Sequence, residues 1–316
     1  MILSVSRRTD IPAFYSEWFL NRIKDGYVLV RNPLNVHQIT KIPLSPKVID
    51  CIVFWTKNPE RMIDKLSALR GYNYYFQFTL NPYGGKFEQN LQDKSHLVEC
   101  FIKLSNLISK ERVIWRYDPI FMNKDIDLEY HRTNFEMLVS RLKGYTKRCV
   151  ISFIDTYAKI QKRLESQGIR PLMPHEMHSI GKMFVHIAGK NNIEIVSCAE
   201  GIDLADIGIQ HGKCIDDKLI SEIIGMEIDA EKDGTQRKEC GCVASIDIGA
   251  YNTCNNKCLY CYANFSEKTV KRNIQSHNTL SPLLFGEVTD KDRIFERELY
   301  SCIRFQKALP LQSRER

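Results

Sequence analysis

Short apolar runs alternate with amphipathic segments along most of the chain, and this alternation is what most limits the folds open to it. Candidate strands are Ile2–Ser6, Cys51–Trp55, Tyr75–Leu80, Arg112–Arg116, Cys149–Ile154, Ile193–Cys198 and Val243–Ile248. Each is short, apolar and rich in β-branched or aromatic residues, as parallel strands covered on both faces require. Between them, Leu97, Phe101, Leu104 and Ile108 share one helical face. So do Leu128, Phe135, Leu138 and Leu142, and again Met177, Ile180, Phe184 and Ile187. Asn58-Pro59 reads as an N-cap followed by proline at the first helical position, with Gly71 closing that helix. Strand followed by helix, repeated about seven times, predicts an α/β fold built as a (β/α) barrel, TIM-like or partial. Tyr27–Ile42 is open to two readings. YVLVRNP is either a further barrel strand or one arm of a hairpin with HQITKIP, and the choice sets seven or eight barrel strands.

The strand-like runs end in Asn32-Pro33, Asn58-Pro59, Asn81-Pro82 and Asp118-Pro119. Asx-Pro stops a strand and starts a turn, so turn chemistry alone explains the pairs. Polar residues gather at the same ends, however: Arg7, Arg8, Asp10, Arg31, Lys57, Arg116, Asp118, Asp155 and Glu200. In a barrel these ends open on one face, the face where active sites form.

Composition bounds the setting. A hydrophobic fraction of 43% is enough for a sizeable core. Lys and Arg outnumber Asp and Glu by 45 to 38, a net charge of +7, which allows a nucleic acid or phosphorylated substrate without demanding one. The N-terminal stretch lacks the apolar run of a secretory signal. No stretch approaches the roughly 18–20 apolar residues of a membrane span. A cytoplasmic setting with reduced thiols is expected, so the 11 cysteines read as metal ligands or packing residues rather than as a disulfide framework. One integrated domain is expected, with a barrel body over 1–210 and a cysteine-rich segment with the last barrel strand over 211–289. A helix and tail complete it over 290–316; Phe295, Leu299 and Ile303 recur every four residues and mark that helix's buried face.

Three thiols, Cys254, Cys258 and Cys261, follow the run Val243–Ile248 and the turn residues Gly249 and Asn252. They are therefore expected on a loop leaving the C-terminal end of the last barrel strand. A structural zinc is normally closed by four protein ligands, and here the local group offers three. Zinc would need a fourth ligand, Cys242 or His277 being the candidates. Three thiolates can instead hold three irons of a [4Fe–4S] cube and leave the fourth iron open. A second set, Cys198, Cys214, Cys240 and Cys242, could form a four-ligand site for zinc or an auxiliary cluster. Cys51, Cys100, Cys149 and Cys302 fall in strands or helices and read as packing residues.

The sequence Cys254-x-x-x-Cys258-x-Tyr260-Cys261 resembles the radical S-adenosylmethionine signature, including the aromatic residue before the last cysteine. The resemblance implies a full or partial (β/α) barrel with the cluster loop after a strand. It also implies a [4Fe–4S] cluster whose open iron chelates S-adenosylmethionine, generation of a 5′-deoxyadenosyl radical, and an electron donor such as flavodoxin or ferredoxin. In that superfamily the motif normally follows the first strand, and a Gly-Gly-Glu-like segment follows the next; here the motif is late and no such segment is evident. The whole chain is similar to a bacterial family of unknown function that carries such a cysteine cluster at its C-terminal end, some members being loosely described as photolyase-like. SRRTDIP, FWTKNP, WRYDPI and CAEGIDL carry that wider similarity. The late motif makes an architectural demand. If the last strand lies beside the first, as in a circularly permuted barrel, the loop reaches Arg7 and Asp10; strands on opposite edges of an open sheet would defeat this.

Tyr260, Glu200, Arg7 and Asp10 are the residues expected at the cofactor. Glu200 could accept a hydrogen bond from a cofactor amine or ribose, and Arg7 and Arg8 could hold a phosphate or carboxylate. A loop carboxylate is the plain alternative for Glu200. His131 reads as a packed histidine, and His175 and His178 as surface or capping residues. No residue is assigned a catalytic role. Three functions follow: a radical S-adenosylmethionine-type enzyme, a non-catalytic iron–sulfur or zinc protein binding nucleic acid, or a barrel hydrolase using strand-end carboxylates.

Overall fold

The structure is a computed structural model describing residues 1–304. Its strands are β1 (Ile2–Val5), β2 (Tyr27–Arg31), β3 (Gln38–Pro43), β4 (Cys51–Thr56), β5 (Tyr74–Thr79) and β6 (Val113–Ile120). They continue with β7 (Arg148–Phe153), β8 (Glu194–Ser197), β9 (Gln210–His211), β10 (Ile246–Asp247) and β11 (Arg293–Glu296). The helices are α1 (Ile11–Phe14), α2 (Ser16–Asp25), α3 (Glu60–Ile63), α4 (Lys94–Ile108) and α5 (Leu128–Leu142). After them come α6 (Gln161–Glu165), α7 (Pro174–Gly189), α8 (Asp217–Ile224) and α9 (Glu267–Gln275).

Eight strands form one all-parallel sheet in the order β10-β1-β4-β5-β6-β7-β8-β9. The expected α/β fold with a parallel sheet is therefore present. β9 and β10 are its edges, and no ladder joins them among the described residues. β10 pairs directly with β1, with Leu3 opposite Ile246 and Ser4 opposite Asp247. The last strand of the sheet lies beside the first, as the late cysteine motif demanded.

Period-two alternation divides the strands between two cores. Leu3, Val5, Phe54, Phe76, Phe78, Trp115, Tyr117 and Ile151 point to one face, where Phe101 of α4, Phe135 of α5 and Phe184 of α7 meet them. Phe135 and Phe184 stack with ring centroids 3.7 Å apart. Ile2, Val53, Tyr75, Ile114, Val150 and Val196 point to the other face, which is filled by Leu219 and Ile220 of α8 together with Cys214, Cys240 and Cys242. Helix starts are set locally. The Asp93 carboxylate accepts from the amides of Ser95 and His96 to cap α4, and Asp127 caps α5 through the Tyr130 amide.

Several expectations need correction. Tyr27–Ile42 is a hairpin: β2 and β3 pair antiparallel and belong to a separate three-stranded sheet. Arg31 therefore lies away from the mouth of the parallel sheet, where it ion-pairs with Asp292 at 2.7 Å. The eighth parallel strand is β9, two exposed residues too short to leave a periodic trace. The helix starting at Asn58-Pro59 is a single turn, α3, followed by a 3-10 turn over Leu66–Leu69. The ladder of the last parallel strand is only Ile246–Asp247.

The expected helix from Asp290 is not formed over its described part. Residues 293–296 pair in parallel with β3 as β11, and Phe295 is 49% exposed rather than buried. The free edge of β3 and the Arg31–Asp292 pair fix this segment extended. The remainder of that helix, and the tail, lie outside the described residues. No helix among the described residues is long and apolar enough to cross a membrane.

Candidate metal centre

Asp247, at the end of β10, laces the first and last strands together. Its carboxylate accepts from Ser4 Oγ (2.9 Å), Ser6 Oγ (2.7 Å) and the amides of Arg7 (2.8 Å) and Gly249 (2.9 Å). The chain then passes so close to β1 that a Cβ on Gly249 would stand 2.0 Å from Ser6 Oγ, which only glycine avoids. Asn252 closes the following loop. It adopts the left-handed region at φ 55°, and its Oδ1 accepts from the amides of Phe265 (2.9 Å) and Ser266 (3.2 Å). Its own amide donates to the Ala263 carbonyl at 2.9 Å. Residues 252–266 are thereby drawn into a compact loop, and α9 starts at its end.

Cys254 and Cys258 are buried on this loop and Cys261 is half-buried. The three thiols lie close enough to raise one another's pKa, though burial is the larger cause. Burial pushes Cys258 up to about 12 against the opposing charge of Lys57. Burial raises Cys261, and the backbone N–H groups of Ala263 and Asn264 lower it in part, as that of Asn256 does for Cys254. Backbone N–H groups aimed at sulfur favour the anionic form, and such bonds are also what tunes an iron–sulfur centre. Beside the loop, Arg163 Nε, Asn264 Oδ1 and Thr9 Oγ1 are buried with no partner. Three grouped sulfurs with the unpaired donors Arg163 Nε and Thr9 Oγ1 beside their loop fit an anionic group there.

A charged layer lies beneath the loop. Glu88 pairs with Lys57 at 2.8 Å and with Lys94, and it accepts from Tyr260. Asn81 Nδ2 donates to the same tyrosine oxygen at 3.1 Å. Burial works against the charge of Glu88, yet the two lysines hold its carboxyl below the usual range. For Lys57 burial also opposes charge, and Glu88 with Cys258 outweighs it, so its pKa is raised. The Asp10 carboxylate caps α1 through Ala13, accepts from the Lys57 amide at 2.7 Å, and accepts from Asn256 Nδ2 at 3.1 Å. Asp10 thus ties the ends of β1 and β4 to the cysteine loop.

The structure divides the sequence-predicted residues between two places. Asp10 and Tyr260 stand at the three-cysteine loop, but both polar groups are already engaged within the protein, as supports of the loop. Arg7 and Glu200 lie toward the second set of cysteines. Arg7 Nη2 donates to Ser245 Oγ at 2.8 Å and lies 3.5 Å from Asp233. Glu200 accepts from the Phe153 amide at 2.9 Å; burial, with Asp155 and Asp118 adding to it, pushes its carboxyl up to about 8. Of the candidate fourth zinc ligands, Cys242 sits with the second set, and His277 bonds the Leu284 carbonyl through Nδ1 at 2.6 Å, which leaves Nε2 as its available ring nitrogen. His131 is packed, bonded to Tyr117 Oη and the Phe121 carbonyl at 2.9 Å each. Sequence reasoning missed Glu88, Lys94 and Arg163, which come from separate loops and helices; only Asn81, in Asn81-Pro82, had a local signal.

Cys198, Cys214, Cys240 and Cys242 converge. The Cys198 and Cys214 sulfurs stand 3.0 Å apart. The Cys242 thiol accepts from the amides of Cys214 (3.3 Å) and Ile215 (3.4 Å). Arg116 Nη1 donates to Cys214 Sγ at 2.7 Å, and Arg116 also pairs with Asp118.

Residues 2–263 match a family described as Domain of unknown function (DUF1848). The matched span contains the whole parallel sheet and ends just past Cys261. No curated protein and no solved structure matches the chain.

Proposed function

For this chain, which belongs to the DUF1848 family of unknown function, we propose a radical S-adenosylmethionine-type activity centred on the Cys254–Cys261 loop. One observation carries the reading: three sulfurs, two of them buried, lie on a loop that leaves the C-terminal end of β10 beside β1. Cys254, Cys258 and Cys261 would hold three irons of a [4Fe–4S] cluster. When bound, that cluster and S-adenosylmethionine supply a reductively generated 5′-deoxyadenosyl radical, the electron coming from a flavodoxin- or ferredoxin-type donor.

The chain's own residues do the positioning. Asp10 and Asn256 fix the loop to the ends of β1 and β4, and Arg163 Nη2 holds the Cys261 carbonyl at 2.9 Å. Lys57 places a buried cation near Cys258, which offsets the negative charge of thiolate ligation. Tyr260, Tyr83 and Phe121 pack together under the loop, with Tyr260 and Phe121 centroids 6.0 Å apart, and keep water from its inner side.

The test is anaerobic reconstitution with iron and sulfide, reduction, and assay with S-adenosylmethionine. Formation of 5′-deoxyadenosine, lost in Cys258→Ala, is the expected result. Zinc at the loop without sulfide would reject the cluster. An intact cluster without turnover would favour the alternative, a non-catalytic iron–sulfur protein, which a salt-sensitive shift of nucleic acid would then support.

A further inference from the structure

Cys198 follows β8, Cys214 follows β9, and Cys240 and Cys242 precede β10. These four residues come from three separate loops, yet all four pack in or against one core on the same face of the sheet. The Cys198 and Cys214 sulfurs, 3.0 Å apart, stand inside ordinary van der Waals contact and close enough for both to reach one ion. The surroundings suit anionic sulfur: two amides donate to Cys242, and the buried Arg116 guanidinium donates to Cys214. Arg7 adds a second cation facing Cys242 and Cys214.

We propose that Cys198, Cys214, Cys240 and Cys242 bind one zinc ion as a closed tetrathiolate site that staples the open seam of the parallel sheet. A tetrahedral ion with bonds of about 2.3 Å gathers four sulfurs to within about 3.8 Å of one another. A cube bonds each thiolate to a different iron and so holds the sulfurs farther apart, which the 3.0 Å contact of Cys198 and Cys214 does not suit. All four ligands come from protein, which leaves no open position and makes the site structural. Its place explains the need. In a closed barrel the edge strands would share a ladder, whereas here β9 and β10 are two residues each, and the segment between them crosses the gap on few bonds, such as Val243 N to the Ile215 carbonyl at 3.2 Å. The inference is independent of the proposed activity.

The experiment measures metal on the full chain expressed with zinc and purified without chelator. The expected result is one zinc per chain, with X-ray absorption showing four sulfur neighbours at about 2.3 Å. Cys240→Ser and Cys242→Ser should lose that zinc and melt earlier, while Cys258→Ala should keep it. Because the first two variants could misfold, the absorption spectrum of the unaltered chain decides by itself. A zinc-free chain, a nitrogen or oxygen shell, or a Cys198–Cys214 disulfide found by mass spectrometry would overturn the proposal. So would iron and sulfide at these four residues, or zinc lost only with Cys258.

Discussion

The residue that most repays attention is Glu88, a carboxylate fully enclosed beneath the cysteine loop and shared by Lys57, Lys94 and Tyr260. A buried charge is tolerated only while its partners remain. Lys57→Met is expected to destabilise the protein by about 3 kcal/mol, because Lys94 alone must then balance Glu88. It should also weaken iron retention by the loop, since Cys258 loses its nearest cation. Chemical denaturation and iron content of the reconstituted protein check both, and unchanged stability would remove Glu88 from this role. His131 makes a pH statement. Burial lowers its pKa to about 4, so the folded chain binds fewer protons there than the unfolded chain, whose histidine titrates near about 6.5. Stability from this group is complete above the unfolded value and falls as pH drops, by about 3 kcal/mol at pH 4. His131→Gln should flatten that slope in unfolding midpoints measured between the two values. Residues of this kind were only half visible in sequence. Lys57 and Asp10 stood at strand ends, where the fold rule points, but Glu88, Lys94 and Arg163 reach the loop through tertiary packing that no local pattern records.

Among elements, the seam between β1 and β10 is the one on which the cysteine loop depends. It consists of two register pairs reinforced by Asp247 and by the close pass of Gly249 over Ser6. Gly249→Ala should force the strands apart and cost about 1–3 kcal/mol, the range for overpacking, with a parallel fall in iron content. Wild-type melting and iron loading in that variant would show that the seam yields elsewhere. The long elements were legible in sequence because burial imposed their period: two for β4 to β7, close to four for α4, α5 and α7. The short ones were not. β9 and β10 are held by their neighbours rather than by any pattern, and β11 was misread because Phe295, Leu299 and Ile303 mimic a helical stripe. What extends β11 is the unpaired edge of β3, and an edge seeking a partner leaves no mark on the partner's own sequence.

At the scale of the whole molecule, the order of strands sets where the cysteine loop stands. β10 pairs with β1 at one edge of the parallel sheet, and this carries the Cys254–Cys261 loop to the ends of β1 and β4, where Asp10 and Lys57 meet it. Stability is graded across that sheet. β4 to β7 are joined by ladders of four or five pairs and buried on both faces, while each edge strand has two. Amide exchange should follow the same gradient, slowest at the centre and fastest in β9 and β10. Loading iron and sulfide should slow the residues that open locally with the loop: 246–264 and the segment 87–90, whose Phe87 carbonyl and Asn90 amide bond the loop directly. β8 and α7 lie at the far side and should show no such local gain. Exchange unchanged over 246–264 on loading would mean that this loop does not hold the cluster, whatever iron the protein retains.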